Sequence, residues 1–530
     1  MAKKQVVLLI MDGWGLSPSW GGNALIMNNP KNIDRLWRDY PHKILQALGA
    51  VEYGNVVGES RLGHLMIGAG RPVKGYHSLI NSDIKSRKFY KNPALLDAFN
   101  YAKKTKVNIH LVGMISDGGV HSDIEHLLAL LTMAHRNSFN NIYIDAITDG
   151  VDTNSTDSLK FVEKINAKIK DVGLGSFSSV GGRKYAMDRD EKWDKIQKYY
   201  QCITKGKSPV YGKIEEAISA NYRNNLTDEN IVPALIKDSQ GKVNPIGDKD
   251  VIIFFNFRED RATQLTKYLI SGEKKGLFKS EKRQNYIVTF INYAKNLPTK
   301  VAFDGTKYPN NLSEYLAKMN YKQLKIAESE KMSHVTLFFN GGEDVQYSNE
   351  ERKIISSPNV ASYDLRPEMS SRKLTKYALS AIQSGSYEFI VINYANVDMV
   401  AHTGNITAVG QAVTILDQLV GQIVDANLKM KGTTIITADH GNAEQMVNLS
   451  KQYSKDRETL HTLNPVPFIV VGPTNKKDLI KTSLSFGPNA LAKIITAKDT
   501  LADVAPTILE LFGLPKPPEM TGHSLINVLE

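Results

Sequence analysis

Val6-Val7-Leu8-Leu9-Ile10-Met11-Asp12-Gly13-Trp14-Gly15 opens the chain with six apolar residues in a row, broken by an aspartate and a glycine. An unbroken apolar run of this length reads as a strand buried on both faces, of the kind found in helix-covered parallel sheets. Lys3 and Lys4 precede it. The run is nevertheless short, has no cleavage site and passes straight into Asp12, so it is expected to be a strand and not a secretory leader. The strand delivers a carboxylate at its carboxyl end, where open α/β sheets place their ligands.

Working outward, similar runs occur at Val107–Met114, Ile142–Ile147, Val251–Phe255, Tyr286–Ile291, Phe389–Asn393, Thr433–Thr437 and Pro467–Val471. Helical patterns lie between them at Asp123–His135, Ser370–Ser384, Thr407–Asn427 and Leu501–Leu511. This alternation predicts an α/β fold of parallel sheets covered by helices on both faces. Two further strands end as the first does: Phe389–Asn393 is followed by Asp398, and Thr433–Thr437 by Asp439 and His440. A single site assembled from both ends of the chain is the expectation. From residue 76 to 305 the chain instead contributes arginine-bearing loops. A domain of residues 76–305 inserted into one built from 1–75 and 306–530 explains this without a knot. The Gly/Pro-marked joints Pro72–His77 and Pro298–Pro309 are predicted hinges.

The 530 residues are 42% hydrophobic and 23% charged, with mean hydropathy -0.28, the composition of a globular protein without a membrane span. Net charge is +11. The lysines are scattered, with no block of five or six like charges, so a small anionic substrate is expected in place of nucleic acid. Cys202 is the single cysteine, which excludes an intrachain disulfide and makes the cytoplasm the expected compartment. A hinge-closing two-domain protein needs no partner, so a monomer is expected.

Asp398 and His402 stand four apart, on one face if the segment is helical. Alone, such a pair reads as a helix N-terminal aspartate with a surface histidine, Asp439-His440 as a turn closing a strand, and His461 as a loop histidine. Together, Asp12, Asp398, His402, Asp439, His440 and His461 offer three carboxylates and three imidazoles, enough for two cations with open positions. A mixed oxygen/nitrogen set without thiolates fits Mn²⁺, Zn²⁺ or Co²⁺ better than Ca²⁺. Paired cations about 3.5–4 Å apart clamp the entering and leaving oxygens of a phosphoryl displacement.

Ser60, in Gly58-Glu59-Ser60-Arg61-Leu62-Gly63-His64, precedes a helical pattern. A serine at a helix N-terminus beside a cation ionises more easily and becomes a nucleophile, although the same placement also describes an ordinary N-cap. Arg183 and Arg189 share one loop, and Arg258 and Arg261 another. Their guanidinium forks suit phosphate and carboxylate, or ion pairs with the aspartates in the same loops. His121, beside Gly118-Gly119, is a candidate proton shuttle.

Asp12–Gly15, Gly63-His64 through Gly70-Arg71, Gly118–Ser122, Tyr185–Asp190, Asn256–Arg261, Asp398–Gly404, Thr437–Gln445 and Asn464–Pro467, in this order, resemble the 2,3-bisphosphoglycerate-independent phosphoglycerate mutases from end to end. The resemblance implies an alkaline-phosphatase-like doubly wound α/β domain interrupted by a substrate-binding α/β domain. It also implies two Mn²⁺ ions and interconversion of 3- and 2-phosphoglycerate through a phosphoserine. It further implies that Asp398, His402 and His461 ligate one metal, and Asp12, Ser60, Asp439 and His440 the other. His121, Asp152, Arg183, Arg189, Arg258, Arg261 and Lys331 fall where the family holds its substrate.

Three positions depart from the family pattern. Glu59 and Arg61 flank Ser60 where the family usually has Asn and Glu, and Arg61 is expected to neutralise Glu59 locally. Val151, in Asp149-Gly150-Val151-Asp152, replaces an arginine aimed at substrate. Losing one charge-assisted contact weakens binding by about 1.5–3 kcal/mol. Lys184, where the family more often has an aromatic, is expected to replace part of that contact. Lys184→Ala should therefore raise KM for 3-phosphoglycerate, and an unchanged KM in steady-state kinetics excludes the replacement.

Overall fold

In the computed structural model of the chain, Val6–Met11 forms strand β1, every residue of it buried. The structure describes residues 4–18, 21–47, 59–189, 192–272, 283–294, 296–447, 461–473, 497–527 and 529. After β1 come β2 (His42–Leu45), β3 (Ile109–Met114), β4 (Ile142–Thr148), β5 (Ser176–Gly182), β6 (Val210–Tyr211) and β7 (Ala234–Ile236). Next are β8 (Val251–Phe254), β9 (Tyr286–Thr289), β10 (Lys300–Val301), β11 (Gln323–Glu328) and β12 (Glu350–Ile355). The last are β13 (Phe389–Tyr394), β14 (Thr433–Thr437) and β15 (Val466–Val471). The chain divides into two compact units, Met1–Lys74 with Thr306–Glu530, and Gly75–Gly305.

The first unit holds a seven-stranded sheet in the order β12-β11-β13-β1-β14-β15-β2. The apolar β1 sits at its centre because both of its faces and both of its edges are covered. It pairs in parallel with β13, Leu8 opposite Val391, and with β14, Leu8 opposite Ile435. Since Ile10 pairs with Thr437, Asp12 and Asp439 leave the sheet at the same level. The helix Ile406–Lys429, started by the Asn405 side chain accepting from the Ala408 N–H, packs against the helix Ser371–Ser384. The all-parallel expectation needs correction at one edge, where β15 runs antiparallel to both β14 and β2. An antiparallel neighbour needs no crossover helix, and the described residues between β14 and β15 contain none.

The second unit has an eight-stranded sheet in the order β10-β9-β8-β3-β4-β5-β7-β6. It is parallel except where β7 opposes β5. At its centre the wholly buried His110 of β3 ties neighbouring segments together. Its Nδ1 lies 2.8 Å from Asp145 Oδ2 on β4 and its Nε2 3.6 Å from Asp250 Oδ2 just before β8. Burial alone would lower this imidazole, but Asp145 and then Asp250 outweigh it and hold it at about 9. Among the described residues, no helix is long and apolar enough to cross a membrane.

His110 titrates in the folded protein at about 9, above the 6.5 of an unperturbed imidazole. Its contribution to stability is therefore complete below pH 6.5 and lost as pH rises through 9. On the order of 3 kcal/mol of protection is expected to disappear over that range. Amide exchange of β3 and β4 measures it, and His110→Gln should flatten the pH dependence. An equally steep loss in that variant contradicts the assignment.

Candidate metal centre and arginine cluster

In the first unit the three acid-bearing strand ends meet. Asp12 follows β1, Asp439 and His440 follow β14, and Asp398 lies in the first turn of the helix Asn396–Ala401 just after β13. Gly13 makes the close approach possible: it has φ +76°, and a Cβ there would stand 2.8 Å from Asp398 Cβ. The helix Ser60–Ala69 packs equally tightly, since a Cβ on Gly63 would lie 2.4 Å from the Asp439 carbonyl oxygen.

Ser60 is the first residue of that helix, and Glu59 takes the N-cap position. The hydroxyl is thus not spent on capping. Its Oγ lies 2.7 Å from His440 Nε2, accepts from Lys331 Nζ at 2.9 Å, and stands 3.4 Å from Asp12 Oδ1. Lys331 Nζ also donates to Asp12 Oδ1 at 2.7 Å and Asp398 Oδ2 at 2.8 Å. The structure therefore gathers Lys331 with the carboxylates of the first unit. Arg61 Nε donates to Glu59 Oε1 at 3.0 Å, pairing the two unusual neighbours of Ser60.

The residues form two donor groups, Asp398 with His402 and His461, and Asp12 with Asp439 and His440. In the first, the Nε2 atoms of His402 and His461 approach to 3.0 Å, and each lies 3.4 Å from Asp398 Oδ1. In the second, His440 Nδ1 donates to the Gly441 carbonyl at 3.2 Å, which leaves the Nε2 lone pair aimed at Ser60, Asp12 and Asp439. Asp439 Oδ2 is buried without a hydrogen-bond partner. An orphaned carboxylate oxygen beside imidazole lone pairs is the donor chemistry a divalent transition metal takes.

Electrostatics agree. Burial, with Asp439 alongside, pushes Asp12 up to about 7. Burial alone would raise Asp398, but Lys331, His402 and His461 outweigh it and hold this carboxyl well below the usual range. Burial lowers His440, and burial with His440 lowers His461, keeping both imidazoles in the neutral form that ligates metals.

Residues not read as ligands, at a strand end, in a turn and in the helix after Ser60, orient these donors. Asn393, the last but one residue of β13, donates from Nδ2 to Asp12 Oδ2 at 2.8 Å and to His64 Nε2 at 2.9 Å. Asn442 donates to Asp398 Oδ1 at 2.8 Å, while its own N–H is held by Glu444 Oε2 at 2.8 Å. His64 Nδ1 lies 2.8 Å from the Ser60 carbonyl oxygen and 3.3 Å from Asp439 Oδ2. The signal in the sequence was position: His64 stands one helical turn after Ser60, Asn442 two residues after His440, and Asn393 five residues before Asp398.

In the second unit, Arg183 Nη1 donates to Asp149 Oδ1 at 2.6 Å and Asp152 Oδ2 at 2.7 Å. Arg189 and Arg258 both reach Asp260 Oδ2 at 3.3 Å, and Arg261 donates to the Met187 carbonyl at 3.2 Å. His121 is buried with Nδ1 3.7 Å from Asp260 Oδ1. Burial pushes it down to about 3, so it is neutral at physiological pH. Val151 is 56% exposed. Lys184 Nζ donates to Asn230 Oδ1 at 2.9 Å.

A family model described as BPG-independent PGAM N-terminus matches residues 80–295. A 2,3-bisphosphoglycerate-independent phosphoglycerate mutase of Clostridioides difficile (strain 630) is 42% identical over 99% of this chain and 100% of its own length. One from Methanosarcina acetivorans is 42% identical over 99% of both chains. The crystal structure of a Leishmania mexicana phosphoglycerate mutase at low cobalt concentration superposes with a TM-score of 0.73. It is 26% identical and covers 98% of this chain and 97% of that one.

Groups that orient metal-binding side chains without ligating typically change affinity 10–100-fold when removed. Asn393→Leu, close in volume but unable to donate to Asp12, is expected to weaken Mn²⁺ binding by about 10-fold or more in a calorimetric titration. Wild-type affinity in that variant contradicts an orienting role.

Proposed function

This chain belongs to the 2,3-bisphosphoglycerate-independent phosphoglycerate mutases, enzymes that interconvert 3- and 2-phosphoglycerate, and we propose that it does so by passing the phosphoryl group through Ser60. The observation that carries the proposal is the placement of Ser60 Oγ. It sits beside the Asp12, Asp439 and His440 group, 2.7 Å from His440 Nε2 and 2.9 Å from Lys331 Nζ.

We assign one Mn²⁺ to Asp398, His402 and His461, and a second to Asp12, Asp439 and His440 with Ser60; Zn²⁺ or Co²⁺ suits the same donors. When bound, the ions supply positive charge for the oxygens of the transferring phosphoryl group. The protein's own groups supply the rest. Lys331 stabilises the ionised Ser60 Oγ, and the N-terminus of the helix Ser60–Ala69 adds its partial positive charge. Ionised Ser60 Oγ attacks phosphorus as the bond to one glycerate oxygen breaks. That oxygen takes a proton to become a hydroxyl, offsetting the proton Ser60 gave up. In the second transfer the other hydroxyl loses its proton, attacks the phosphoserine and returns Ser60 to its starting state, so atoms and protons balance.

Arg183, Arg189, Arg258 and Arg261, with His121 and Asp152, are the groups we assign to holding the anionic substrate. A neutral His121 fits a hydrogen-bonding role there. Lys331 is assigned to the phosphoryl group itself.

Ser60→Ala should lower mutase turnover by on the order of 10³-fold or more while leaving the melting temperature near that of the parent. The assay uses 3-phosphoglycerate and Mn²⁺ without bisphosphoglycerate. The parent, quenched during turnover, should show a phosphate on the peptide containing Ser60 by mass spectrometry. Normal turnover in the alanine variant refutes the mechanism, and release of inorganic phosphate by the parent would mark a phosphatase instead.

A further inference from the structure

Two helices of the second unit, Tyr76–Lys85 and Ile124–Arg136, pack together and present polar groups toward each other at helical spacing. His77 and Asn81 are one turn apart on the first. Asp123 caps the second, and His126 follows three residues later. Spacings of four and three place each pair on one helix face. The heads converge. His77 Nε2 lies 2.7 Å from Asp123 Oδ2 and 3.1 Å from Asn81 Nδ2, and His126 Nε2 lies 3.0 Å from Asn81 Oδ1. One ligand atom from each of His77, Asp123 and His126 lies within 4.8 Å of the others.

Hydrogen bonds alone serve this cluster poorly. His77 Nε2 faces a carboxylate, which calls for a proton, and an amide nitrogen, which calls for a lone pair. Turning the Asn81 amide over removes that conflict. It still leaves His126 Nδ1 buried without a partner. Apolar cover is present as well, since the Phe257 ring lies 5.3 Å from His77 and 5.4 Å from His126. Two imidazoles, one carboxylate and one amide oxygen in a partly desolvated pocket suit a borderline cation such as Zn²⁺ or Co²⁺. Ca²⁺ and Mg²⁺ call for more oxygens.

We propose that His77, Asp123 and His126, with Asn81 completing the set, form a divalent transition-metal site in the second unit, built from residues distinct from both donor groups of the first. An ion there pins the helix Tyr76–Lys85 to the helix Ile124–Arg136. It also stiffens what lies behind the substrate-holding loops. Phe257 precedes Arg258, its N–H donates to the His121 carbonyl at 2.8 Å, and a Cβ on Gly119 would touch His77 Cε1 at 3.5 Å.

The test is equilibrium dialysis of the full-length protein against Co²⁺, with elemental analysis and visible absorption spectra. His77→Gln is the first variant, because this side chain is 24% exposed and its loss leaves the core intact. It should bind one cobalt equivalent fewer than the parent and lose one component of the ligand-field spectrum. Asp398→Asn with His461→Gln should instead lose cobalt while keeping that component. Asn81→Asp, which adds a carboxylate, should tighten the site roughly tenfold. A cobalt count and spectrum in His77→Gln identical to the parent's overturn the proposal, as does an unchanged affinity in Asn81→Asp.

Discussion

Three carboxylates buried at the carboxyl-terminal edge of one sheet repel each other, and the groups around them are arranged against that repulsion. Asp12, Asp398 and Asp439 are each at most 1% exposed, so water screens them little and their mutual energies are large. Lys331 touches two of them directly, and Asn393 and Asn442 each donate to one. The compensation is incomplete. One ammonium faces three carboxylates, Asp12 is pushed up to about 7, and Asp439 Oδ2 has no hydrogen bond, with the His64 imidazole 3.3 Å away. A site that spends stability in this way is built to receive positive charge, which joins the fold to metal-assisted phosphoryl chemistry.

The strands that assemble this edge were legible because they are buried on both faces. Val6–Met11, Thr433–Thr437 and, within one residue at an end, Phe389–Tyr394 and Val466–Val471 coincide with apolar runs in the sequence. Two of the strands that escaped carry polar residues that are satisfied by distant parts of the chain. Gln323–Glu328 carries the wholly buried Lys325, whose Nζ is neutralised by Glu350 at 3.3 Å across the β11–β12 edge. Ser176–Gly182 is mostly serine and glycine, yet Ser179 Oγ finds Asp145 Oδ1 at 2.7 Å and Ser178 Oγ the Asn244 carbonyl at 2.6 Å. A local window contains no such partner, so propensity alone points away from a strand.

The site divides along the same line. Carboxylates and imidazoles at strand ends announce themselves by residue type and position, and so do paired arginines. The groups that orient them do not. Asn393 reads as the end of a strand and His64 as one more residue in a helix; their roles follow from contacts 381 and 329 residues away in the chain. Lys331 shows the limit most clearly. Nothing beside it in the sequence marks it, and only packing places its ammonium among Asp12, Ser60 and Asp398.

The departures from the family pattern can be weighed on the same physical footing. The charge of Glu59 is met locally by Arg61, so it adds little net field at Ser60. The Val151 side chain is largely exposed, so losing a guanidinium there leaves no buried charge unpaired. Arg183 remains fixed between Asp149 and Asp152, while Asp260 lies against Arg189, Arg258 and the neighbouring His121. Asp260 Oδ2 is thus shared between two guanidinium groups, each 3.3 Å away. Two cations satisfied one-for-one by carboxylates would be a surface ion pair. A carboxylate that two guanidinium groups share leaves each of them donors for a further anion, which is what the substrate-holding role proposed for Arg189 and Arg258 requires.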